Sequence, residues 1–211
     1  MKKVQDHYFH KAKKENYPAR SVYKLEEAQK RYGLLKKGDT VLDLGCHPGS
    51  WSLYAAKVVG VGGLVVGVDL QSGKPLVAGG GARITKLCGD ICDPETIARL
   101  QTERRQYRVL LSDMAPATTG NKWADAQKSL ELARLVLQLA AKLLEPAGNF
   151  YCKVFEGEDF KEYVDTVRRM FDTVRIVKPK SSRSESPEVF VLGLGYRCAA
   201  PEVEDQQEIG R

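Results

Sequence analysis

The feature that most constrains the fold is a regular alternation of short apolar runs and helical segments that starts near residue 40. Runs of strand length occupy residues 40–45, 64–70, 83–90, 107–114 and 149–155. Segments with helical spacing of apolar residues occupy residues 50–59, 94–103, 125–144 and 158–171. Such alternation predicts a mainly parallel β-sheet that is covered by helices on both faces.

Two further apolar runs, residues 173–179 and 188–196, close this pattern. The polar segment between them is too short to hold a crossover helix. Because parallel strands need a long crossover, these two strands must be antiparallel neighbours. We therefore expect a doubly wound α/β domain with a seven-stranded, mostly parallel sheet that ends in one reversed strand.

The 211 residues fit a single domain with short additions at its ends. Residues 1–37 form a basic N-terminal segment with one helix, which we expect from Ser21 as N-cap to Tyr32, before Gly33. Residues 38–197 form the core, and residues 198–211 form an acidic tail that we expect to be flexible. We expect a monomer.

Several classes of protein are disfavoured by composition. No apolar run has the length needed to cross a bilayer, and the lysines at the N-terminus are not followed by the apolar stretch of a secretory signal. The five cysteines are odd in number and scattered, which favours buried free thiols and a cytoplasmic location. Cys88 and Cys92, like His7 and His10, lack a second ligand pair, so we expect no metal site.

Positive charge is concentrated in two parts of the chain. Residues 1–37 contain 11 lysines and arginines against four acidic residues, and a second basic run extends from residue 168 to residue 183. Basic clusters of this kind indicate a polyanionic partner, although two solvated surfaces would have the same composition. The candidate phosphate-binding residues are Lys11, Lys13, Lys14, Arg20, Lys178, Lys180 and Arg183.

Glycine and aspartate recur where the first three strands end, at the edge where open α/β sheets bind ligands. The first strand leads into Asp43, Gly45, Pro48 and Gly49, the second ends in Asp69 and the third is followed by Asp90. Carboxylates here suit the hydroxyls of a ribose and the amino group of an adenine, although each acid alone could be a cap or turn residue. The D-L-G-x-x-P-G loop lacks the G-x-G of dinucleotide dehydrogenases and resembles the first motif of S-adenosylmethionine methyltransferases, in which Asp43 would suit the methionine ammonium group.

Four charged residues interrupt or border apolar segments: Lys24, Asp113, Lys153 and Glu188. A charge in such a position needs a partner, because an unpaired buried charge is costly. Two lysines and two acids can satisfy one another. We therefore expect these four side chains, which we call the tetrad, to lie together at the edge of the sheet.

At these residues the chain closely resembles the RrmJ/FtsJ family of RNA ribose 2′-O-methyltransferases, from about residue 8 to residue 197. The likeness rests on residues 11–14, 21–25, the D-L-G-x-x-P-G loop, and residues 112–116, 153–157 and 178–183. It implies a Rossmann-like fold, S-adenosylmethionine as cofactor and RNA as partner. It also implies that the tetrad is catalytic and that the cofactor is contacted by Gly49, Trp51, Asp69, Asp90 and Asp113.

The chain departs from the family pattern at His47 and Ser50, where small residues are usual, and in an expanded glycine-rich loop at residues 79–81. These departures concern the shape of the cofactor loop. We interpret His47 as a loop residue beside the cofactor and not as a catalytic base.

In the mechanism that the resemblance implies, Lys153 accepts the proton of the ribose hydroxyl while Asp113 orients Lys153 and the methyl donor. Lys24 would hold the hydroxyl or a phosphate, and Glu188 would steady Lys24 or the ribose. Alternatively, both lysines stay charged and only position the hydroxyl and stabilise the developing alkoxide.

The resemblance implies a uridine of 23S ribosomal RNA as the substrate. A transfer-RNA anticodon loop is the alternative substrate. The rival functions are a non-catalytic RNA-binding assembly factor and a dehydrogenase on the same fold.

Overall fold

The computed structural model describes residues 2–183 and 185–197, and the side chains from residue 7 onwards. The acidic segment 198–211 lies outside the described residues. The helices are α1 (Lys2–Lys14), α2 (Val22–Tyr32), α3 (Ser50–Val59), α4 (Pro94–Glu103), α5 (Lys122–Leu143) and α6 (Phe160–Met170). The strands are β1 (Thr40–Leu44), β2 (Leu64–Asp69), β3 (Arg83–Cys88), β4 (Tyr107–Ser112), β5 (Leu144–Phe155), β6 (Phe171–Val177) and β7 (Glu188–Tyr196).

The strands form one seven-stranded sheet in the order β3-β2-β1-β4-β5-β7-β6. Strands β1 to β5 pair in parallel, and β7 runs antiparallel to both of its neighbours. The predicted mostly parallel sheet with one reversed strand is confirmed. The reversed strand is the last in sequence but does not lie at the edge, because it is inserted between β5 and β6. Its first residue, Glu188, therefore pairs with Phe155 at the carboxyl end of β5.

Helices cover both faces of the sheet. Buried apolar residues of α4, α5 and α6, including Leu100, Leu137 and Val167, form one hydrophobic core with side chains from all seven strands. Residues of α2 and α3, including Leu25 and Trp51, form a second core on the other face. This two-layer covering explains why the central strands are apolar without alternation.

The N-terminal segment contains two helices, whereas the sequence predicted one. Helix α1 precedes α2, and its Ala12 packs against Val22 and Tyr23 of α2 in a small separate cluster. Three of the residues in the last turn of α1 are lysines: Lys11, Lys13 and Lys14. A helix of this composition depends on contacts with its neighbour more than on its own propensity.

Element boundaries differ from expectation at α5 and β5. Helix α5 begins at Lys122, three residues before the predicted start, because Asn121 caps it by accepting hydrogen bonds from the backbone N–H groups of Trp123 and Ala124. By contrast, Ser21, the expected N-cap of α2, makes no side-chain capping bond. Strand β5 begins at Leu144 because this residue already pairs with β4.

The expectation of buried cysteines is half right. Cys46 and Cys152 are buried free thiols, whereas Cys88 and Cys92 are exposed. Both exposed residues lie at or beyond the end of β3, the outermost strand on its side of the sheet, where few elements cover them. Cys198 lies outside the described residues. None of the described helices combines the length and the apolar character needed to span a membrane.

Phe171 of the edge strand β6 packs against two other aromatic rings, which provides a test of the fold. Phe171 is 1% exposed, and its ring centroid lies 5.6 Å from that of Phe150 and 5.5 Å from that of Tyr196. We expect Phe171→Ala to lower the free energy of unfolding by about 3–5 kcal/mol in urea titrations, because it leaves a cavity. Ile176→Ala on the exposed side of the same strand should cost less than about 1 kcal/mol. Equal losses in the two variants would contradict the proposed packing.

Candidate active site

A cleft of about 360 Å³ opens at the carboxyl ends of β1 to β4. The residues that line it come from the loops after these strands and from α5. They are Gly45, His47, Val68, Asp69, Leu70, Gln71, Gly89, Asp90, Ile91, Cys92, Asp113, Met114, Ala115, Leu132 and Leu135. A small adjoining cavity of about 20 Å³, which we call the narrow part of the cleft, shares the tetrad residue Asp113 with it. Its other lining residues include Ser21, Asp43, Pro48 and Trp51. Polar groups thus border a largely apolar cavity, as is typical of ligand sites.

Two glycines of the loop after β1 are required by its shape. Gly45 has a φ of 75°, and a Cβ there would lie 2.2 Å from Cγ of Met114. Gly49 has a φ of 113°, and a Cβ there would lie 2.5 Å from Leu76. Both conformations belong to the left-handed region that side chains disfavour. These glycines allow the loop to turn from β1 into α3 along the floor of the cleft, and the peptide bond that joins His47 and Pro48 in this loop is cis.

The predicted nucleoside-binding acids Asp69 and Asp90 both line the cleft. The carboxylate of Asp69 accepts hydrogen bonds from the backbone N–H groups of His47 and Gln71. Asp90 accepts one from the backbone N–H of Cys92. Because a carboxylate has about four lone-pair sites, these bonds orient the two groups and leave acceptor capacity for a ligand. His47 itself is an exposed loop residue at the rim.

Asp43 lies deeper, at 1% exposure, and accepts a hydrogen bond of 2.6 Å from the hydroxyl of Ser52. Burial raises the pKa of this carboxyl to about 7, against the hydrogen bond from Ser52. The negative charges of Asp113 and Asp69 raise the pKa further. A cationic group in the narrow part of the cleft would favour the ionised form.

Trp51, expected among the cofactor contacts, belongs mainly to the core. It is 3% exposed, and its indole N–H donates to the carbonyl of Ser21 at 2.8 Å. Its ring stacks on Tyr151, with centroids 5.7 Å apart, and Tyr151 stacks on Phe190. Trp51 therefore joins α3 to the segment before α2 and to the centre of the sheet, and it reaches only the narrow part of the cleft.

The tetrad residues lie together beside this cleft. Lys153 Nζ is 2.9 Å from Asp113 Oδ1, and Lys24 Nζ is 3.5 Å from the same oxygen. Lys24 Nζ is also 2.7 Å from Glu188 Oε2. The four side chains are between 7% and 18% exposed, so the ion pairs are shielded from water over most of their surface. Each lysine faces a carboxylate, as a buried charge requires.

The topology explains how residues so far apart in sequence meet. Asp113 follows β4, and Lys153 lies near the carboxyl end of β5. Glu188 is the first residue of β7, which reaches the same edge because β7 runs in the opposite direction. Lys24 enters from α2, whose core residues pack across this face of the sheet.

Glu188 is held by several partners besides Lys24. Burial alone would raise its pKa, but Lys24, the hydroxyl of Ser182 and the charge of Lys153 outweigh burial and hold the pKa below its usual value. Ser182 Oγ donates to Glu188 Oε1 at 2.7 Å. Lys178 donates to the backbone carbonyls of Glu188 and Ser186. Glu188 is therefore an anion fixed in place.

Glu27 has a function that sequence reasoning missed. Its carboxylate accepts hydrogen bonds from the backbone N–H groups of Lys180, at 2.7 Å, and Ser181, at 3.0 Å. These bonds tie the loop after β6 to α2 and bring the exposed Lys180 and Arg183 close to the tetrad. The available signal was its spacing, since Glu27 follows Lys24 by three residues on one side of a helix.

The N-terminal lysines divide into two kinds. Lys11 is engaged within the fold, because its Nζ lies 3.8 Å from carboxylate oxygens of Glu15 and Glu26 and 4.3 Å from the ring centre of Tyr23. Lys13 and Lys14 are exposed on α1. They are the more available to an external anion.

Arg20 is half-buried, and it lies between Ala19, whose N–H donates to Ser50 Oγ, and Ser21 at the cleft. Arg20, in the segment that precedes α2, thus lies next to the predicted cofactor site. Arg168 and Arg169 lie at the end of α6, just before β6 begins, and so at the opposite edge of the sheet.

The family comparison agrees with this arrangement. The model of the FtsJ-like methyltransferase family matches residues 17–196. The chain belongs to this family. A protein of Desulfotalea psychrophila named ribosomal RNA large subunit methyltransferase E is 54% identical over 201 residues, which cover 93% of this chain and 98% of that protein. A protein of Syntrophobacter fumaroxidans with the same name is 46% identical over 194 residues, which cover 92% and 97%.

Solved structures show the same fold. A ribosomal RNA methyltransferase of Plasmodium falciparum superposes with a TM-score of 0.73 at 24% identity, over 85% of this chain and 98% of that chain. Fibrillarin of Aeropyrum pernix, solved with natively bound S-adenosyl-L-methionine, superposes with a TM-score of 0.58 at 19% identity, over 82% and 76%. At these identities the likeness concerns the fold alone.

These comparisons confirm the predicted RrmJ/FtsJ family, which is a methyltransferase family of the S-adenosylmethionine-dependent kind. The solved structures confirm the Rossmann-like methyltransferase fold. They do not favour a dehydrogenase or a non-catalytic binding factor. The FtsJ-like family model begins at residue 17, so α1 lies outside the matched range.

The buried carboxyl of Asp43 makes stability depend on pH. The folded protein keeps this proton up to about pH 7, whereas the unfolded chain releases it near pH 3.8. Between these values unfolding releases a proton, so stability falls as pH rises. We expect Asp43→Asn to gain stability relative to the wild type by up to about 1.4 kcal/mol per pH unit in this window, measured by urea unfolding at several pH values.

Ser52→Ala is the matched comparison for this measurement. It removes the hydroxyl that favours the ionised carboxylate, so the window should extend to higher pH. A difference between Asp43→Asn and the wild type that does not change with pH would show that Asp43 is ionised in the folded protein.

Proposed function

We propose that this FtsJ-like methyltransferase transfers the methyl group of S-adenosylmethionine to a ribose 2′-hydroxyl of 23S ribosomal RNA, with a uridine as the target nucleotide. The observation that carries the proposal is the buried tetrad beside the nucleoside-sized cleft. The name that its relatives share, ribosomal RNA large subunit methyltransferase E, supports ribosomal RNA and does not favour the alternative substrate, a transfer-RNA anticodon loop.

The residues of the cleft fit the methyl donor by their chemistry. Asp69 and Asp90 offer carboxylate oxygens for the ribose hydroxyls and the adenine amino group, and Asp43 in the narrow part offers a carboxylate for the ammonium group. Gly45, Pro48 and Gly49 shape the loop beside them, and Trp51 closes the narrow part. Bound there, S-adenosylmethionine supplies an electrophilic methyl group on a sulfonium.

The reaction needs the attacking oxygen to lie in line with the departing sulfur. The proposed role of Lys153 is to accept the hydroxyl proton, because its Nζ contacts Asp113, the tetrad residue that lines the cleft. Asp113 holds that amine through both its carboxylate, at 2.9 Å, and its backbone carbonyl. To act as the base, Lys153 must enter the step as the uncharged amine, whose two N–H groups donate to these two oxygens while its lone pair takes the proton of the substrate hydroxyl.

Lys24 and Glu188 complete the site as a charged pair. Lys24 is bound by Glu188 at 2.7 Å and reaches Asp113 at 3.5 Å, so it is oriented towards the same point as Lys153. In this position Lys24 holds the hydroxyl or an adjacent phosphate. In the alternative mechanism both lysines remain charged and stabilise the developing alkoxide by electrostatics.

The RNA would lie across the edge of the sheet. Two groups of residues are proposed to contact phosphates and together form what we call the basic surface: Lys13, Lys14 and Arg20 of the N-terminal segment, and Lys178, Lys180 and Arg183 of the loop after β6, which Glu27 ties to α2. Lys11 is a weaker contributor because of its internal ion pairs. On this proposal residues 1–37 belong to the RNA-binding surface of a single domain whose core is residues 38–197. We further propose that the protein acts as a monomer in the cytoplasm, where the large ribosomal subunit is found.

The substrate is identified by methyl transfer. Purified protein with radiolabelled S-adenosylmethionine should label ribosomal RNA or large ribosomal subunits, and mapping of 2′-O-methyl groups in a deletion strain should reveal one missing ribose methyl group in 23S RNA. A missing group in transfer RNA instead would replace the ribosomal substrate with the alternative. No missing ribose methyl group in either RNA would overturn the proposed activity.

Lys153→Ala tests the assignment of the base. We expect loss of turnover by at least a factor of about 100, since general-base catalysis contributes a factor of about 10²–10⁴. Binding of S-adenosylmethionine, measured by calorimetry, should be retained because Lys153 lies outside the residues that line the cleft. Lys142→Ala, an exposed lysine at the end of α5, serves as the control. Methylation at a near-normal rate by Lys153→Ala would remove it from the mechanism.

Charge reversal at Lys13 and Lys14 tests the RNA-binding surface. Each lost phosphate contact should reduce the slope of log affinity against log salt by about 0.7–0.9, because fewer counterions are released on binding. The matched control reverses Arg105 and Lys142, which are exposed at the opposite edge of the sheet and change the net charge equally. The same slope in both double variants would place the RNA elsewhere.

A further inference from the structure

One large aromatic side chain takes no part in the site described above, although it lies at the catalytic edge, by which we mean the carboxyl ends of the parallel strands where the tetrad is located. Trp123 is 61% exposed, whereas Trp51, the other tryptophan of the chain, is 3% exposed. Trp123 lies in the first turn of α5, directly after the loop that leads from Asp113. A tryptophan that contributes so little to the core calls for another explanation.

The ring is presented by a rigid segment. Its indole N–H lies 3.4 Å from Glu158 Oε2, and its backbone N–H donates to the capping side chain of Asn121. Two residues further on, Asp125 accepts hydrogen bonds from the backbone N–H groups of Thr119 and Gly120 and from the Thr119 hydroxyl. The loop and the helix start are therefore fixed to each other, and little entropy is lost when a ligand contacts the exposed ring.

The location of Trp123 relative to the tetrad follows from the contacts of α5. Ser129 Oγ accepts a hydrogen bond from the backbone N–H of Phe155, two residues after Lys153. Trp123 lies six residues before Ser129, which is about 9 Å along the helix towards the outside of the catalytic edge. Helix α5 packs on one face of the sheet, while α2 and the loop that Glu27 holds lie on the other face. The tetrad thus lies between the basic surface and Trp123.

Charge around the ring favours a base over a phosphate. Glu158 contacts the indole, and Glu156, two residues before Glu158, is exposed, while Lys122 next to Trp123 carries one opposite charge. These carboxylates repel the phosphate backbone, whereas an aromatic face stacks on any nucleobase.

We propose that Trp123 is a stacking platform for one unpaired nucleobase of the RNA substrate, outside the nucleotide that is methylated. This inference rests on the proposed function and adds a second contact on the far side of the tetrad. An RNA strand held by phosphates at the basic surface and by one stacked base at Trp123 would cross the active site under restraint at both ends. Such a substrate has a single-stranded or splayed base near its target ribose.

Tryptophan fluorescence tests the contact directly, because the chain has only two tryptophans and Trp51 is buried. A single-stranded oligouridine RNA, whose choice does not depend on any mapped methyl group, should quench the emission of the wild type. Trp123→Phe leaves Trp51 as the only tryptophan, and the tryptophan emission of this variant should respond little to the same RNA. Equal fractional quenching in the two proteins would overturn the proposal. This readout does not require methyl transfer, so it is independent of the proposed activity.

Kinetics separate stacking from a structural role. In Trp123→Ala the KM for RNA should rise by about 5- to 150-fold, whereas Trp123→Phe and Trp123→Tyr, which keep an aromatic face, should restore most of the affinity. The KM for S-adenosylmethionine and the thermal midpoint should stay near wild-type values. Val61→Ala, an exposed apolar residue between α3 and β2 at the opposite edge, should change neither KM.

The possible outcomes are distinct. An unchanged KM for RNA in Trp123→Ala, or a loss that Trp123→Phe fails to restore, overturns the platform. Loss of activity on ribosomal subunits with no loss on naked RNA would assign Trp123 to a protein partner and also overturn it. Wild-type protein that quenches with RNA but methylates none would refute the proposed function and leave the stacking contact supported.

Discussion

The structure depends on one electrostatic constraint: two ammonium groups and two carboxylates share a site from which most water is excluded. Asp113 Oδ1 lies between Lys153 and Lys24, and Lys24 is bound in turn by Glu188. None of these charges could remain there alone, because an unpaired buried ion costs several kcal/mol. The four side chains come from α2, β5, β7 and the loop after β4, so their mutual neutralisation also fixes those elements relative to one another.

The reversed strand makes this constraint compatible with a parallel sheet. In a parallel sheet the carboxyl ends of the strands supply the active edge, and their amino ends lie on the far side. Because β7 is antiparallel and inserted between β5 and β6, the first residue of that strand reaches the active edge beside Lys153. The loop that precedes β7 arrives at the same place, where Glu27 and Ser182 secure it. One change of strand direction thus brings both an acid of the tetrad and a basic loop to the site.

Much of this could be predicted from the pattern of residues, and the failures have physical reasons. The strands and most helices follow from local hydrophobic spacing. Helix α1 escaped prediction because the apolar contacts described for it, such as those of Ala12, are with α2, and the position of β7 within the sheet depends on long-range pairing. The exposure of Cys88 and Cys92 arises from the position of β3 as an outer strand, which the chain order does not reveal. The family pattern marks Trp51 as a cofactor-contact position, but no local pattern shows that its ring also stacks on Tyr151 in the core.

By itself, the sequence determined the fold class, the family and the identity of the four charged residues, because periodicity and motifs are local properties of the chain. Only the tertiary structure decided which partner each charge has, that Asp43 is enclosed with a raised pKa, and that Glu27 clamps the loop after β6. It also decided that Trp123 is exposed at the active edge while Trp51 is buried. Burial and pairing are properties of the three-dimensional neighbourhood, and residues more than 150 positions apart, such as Lys24 and Glu188, become neighbours only when the sheet is assembled.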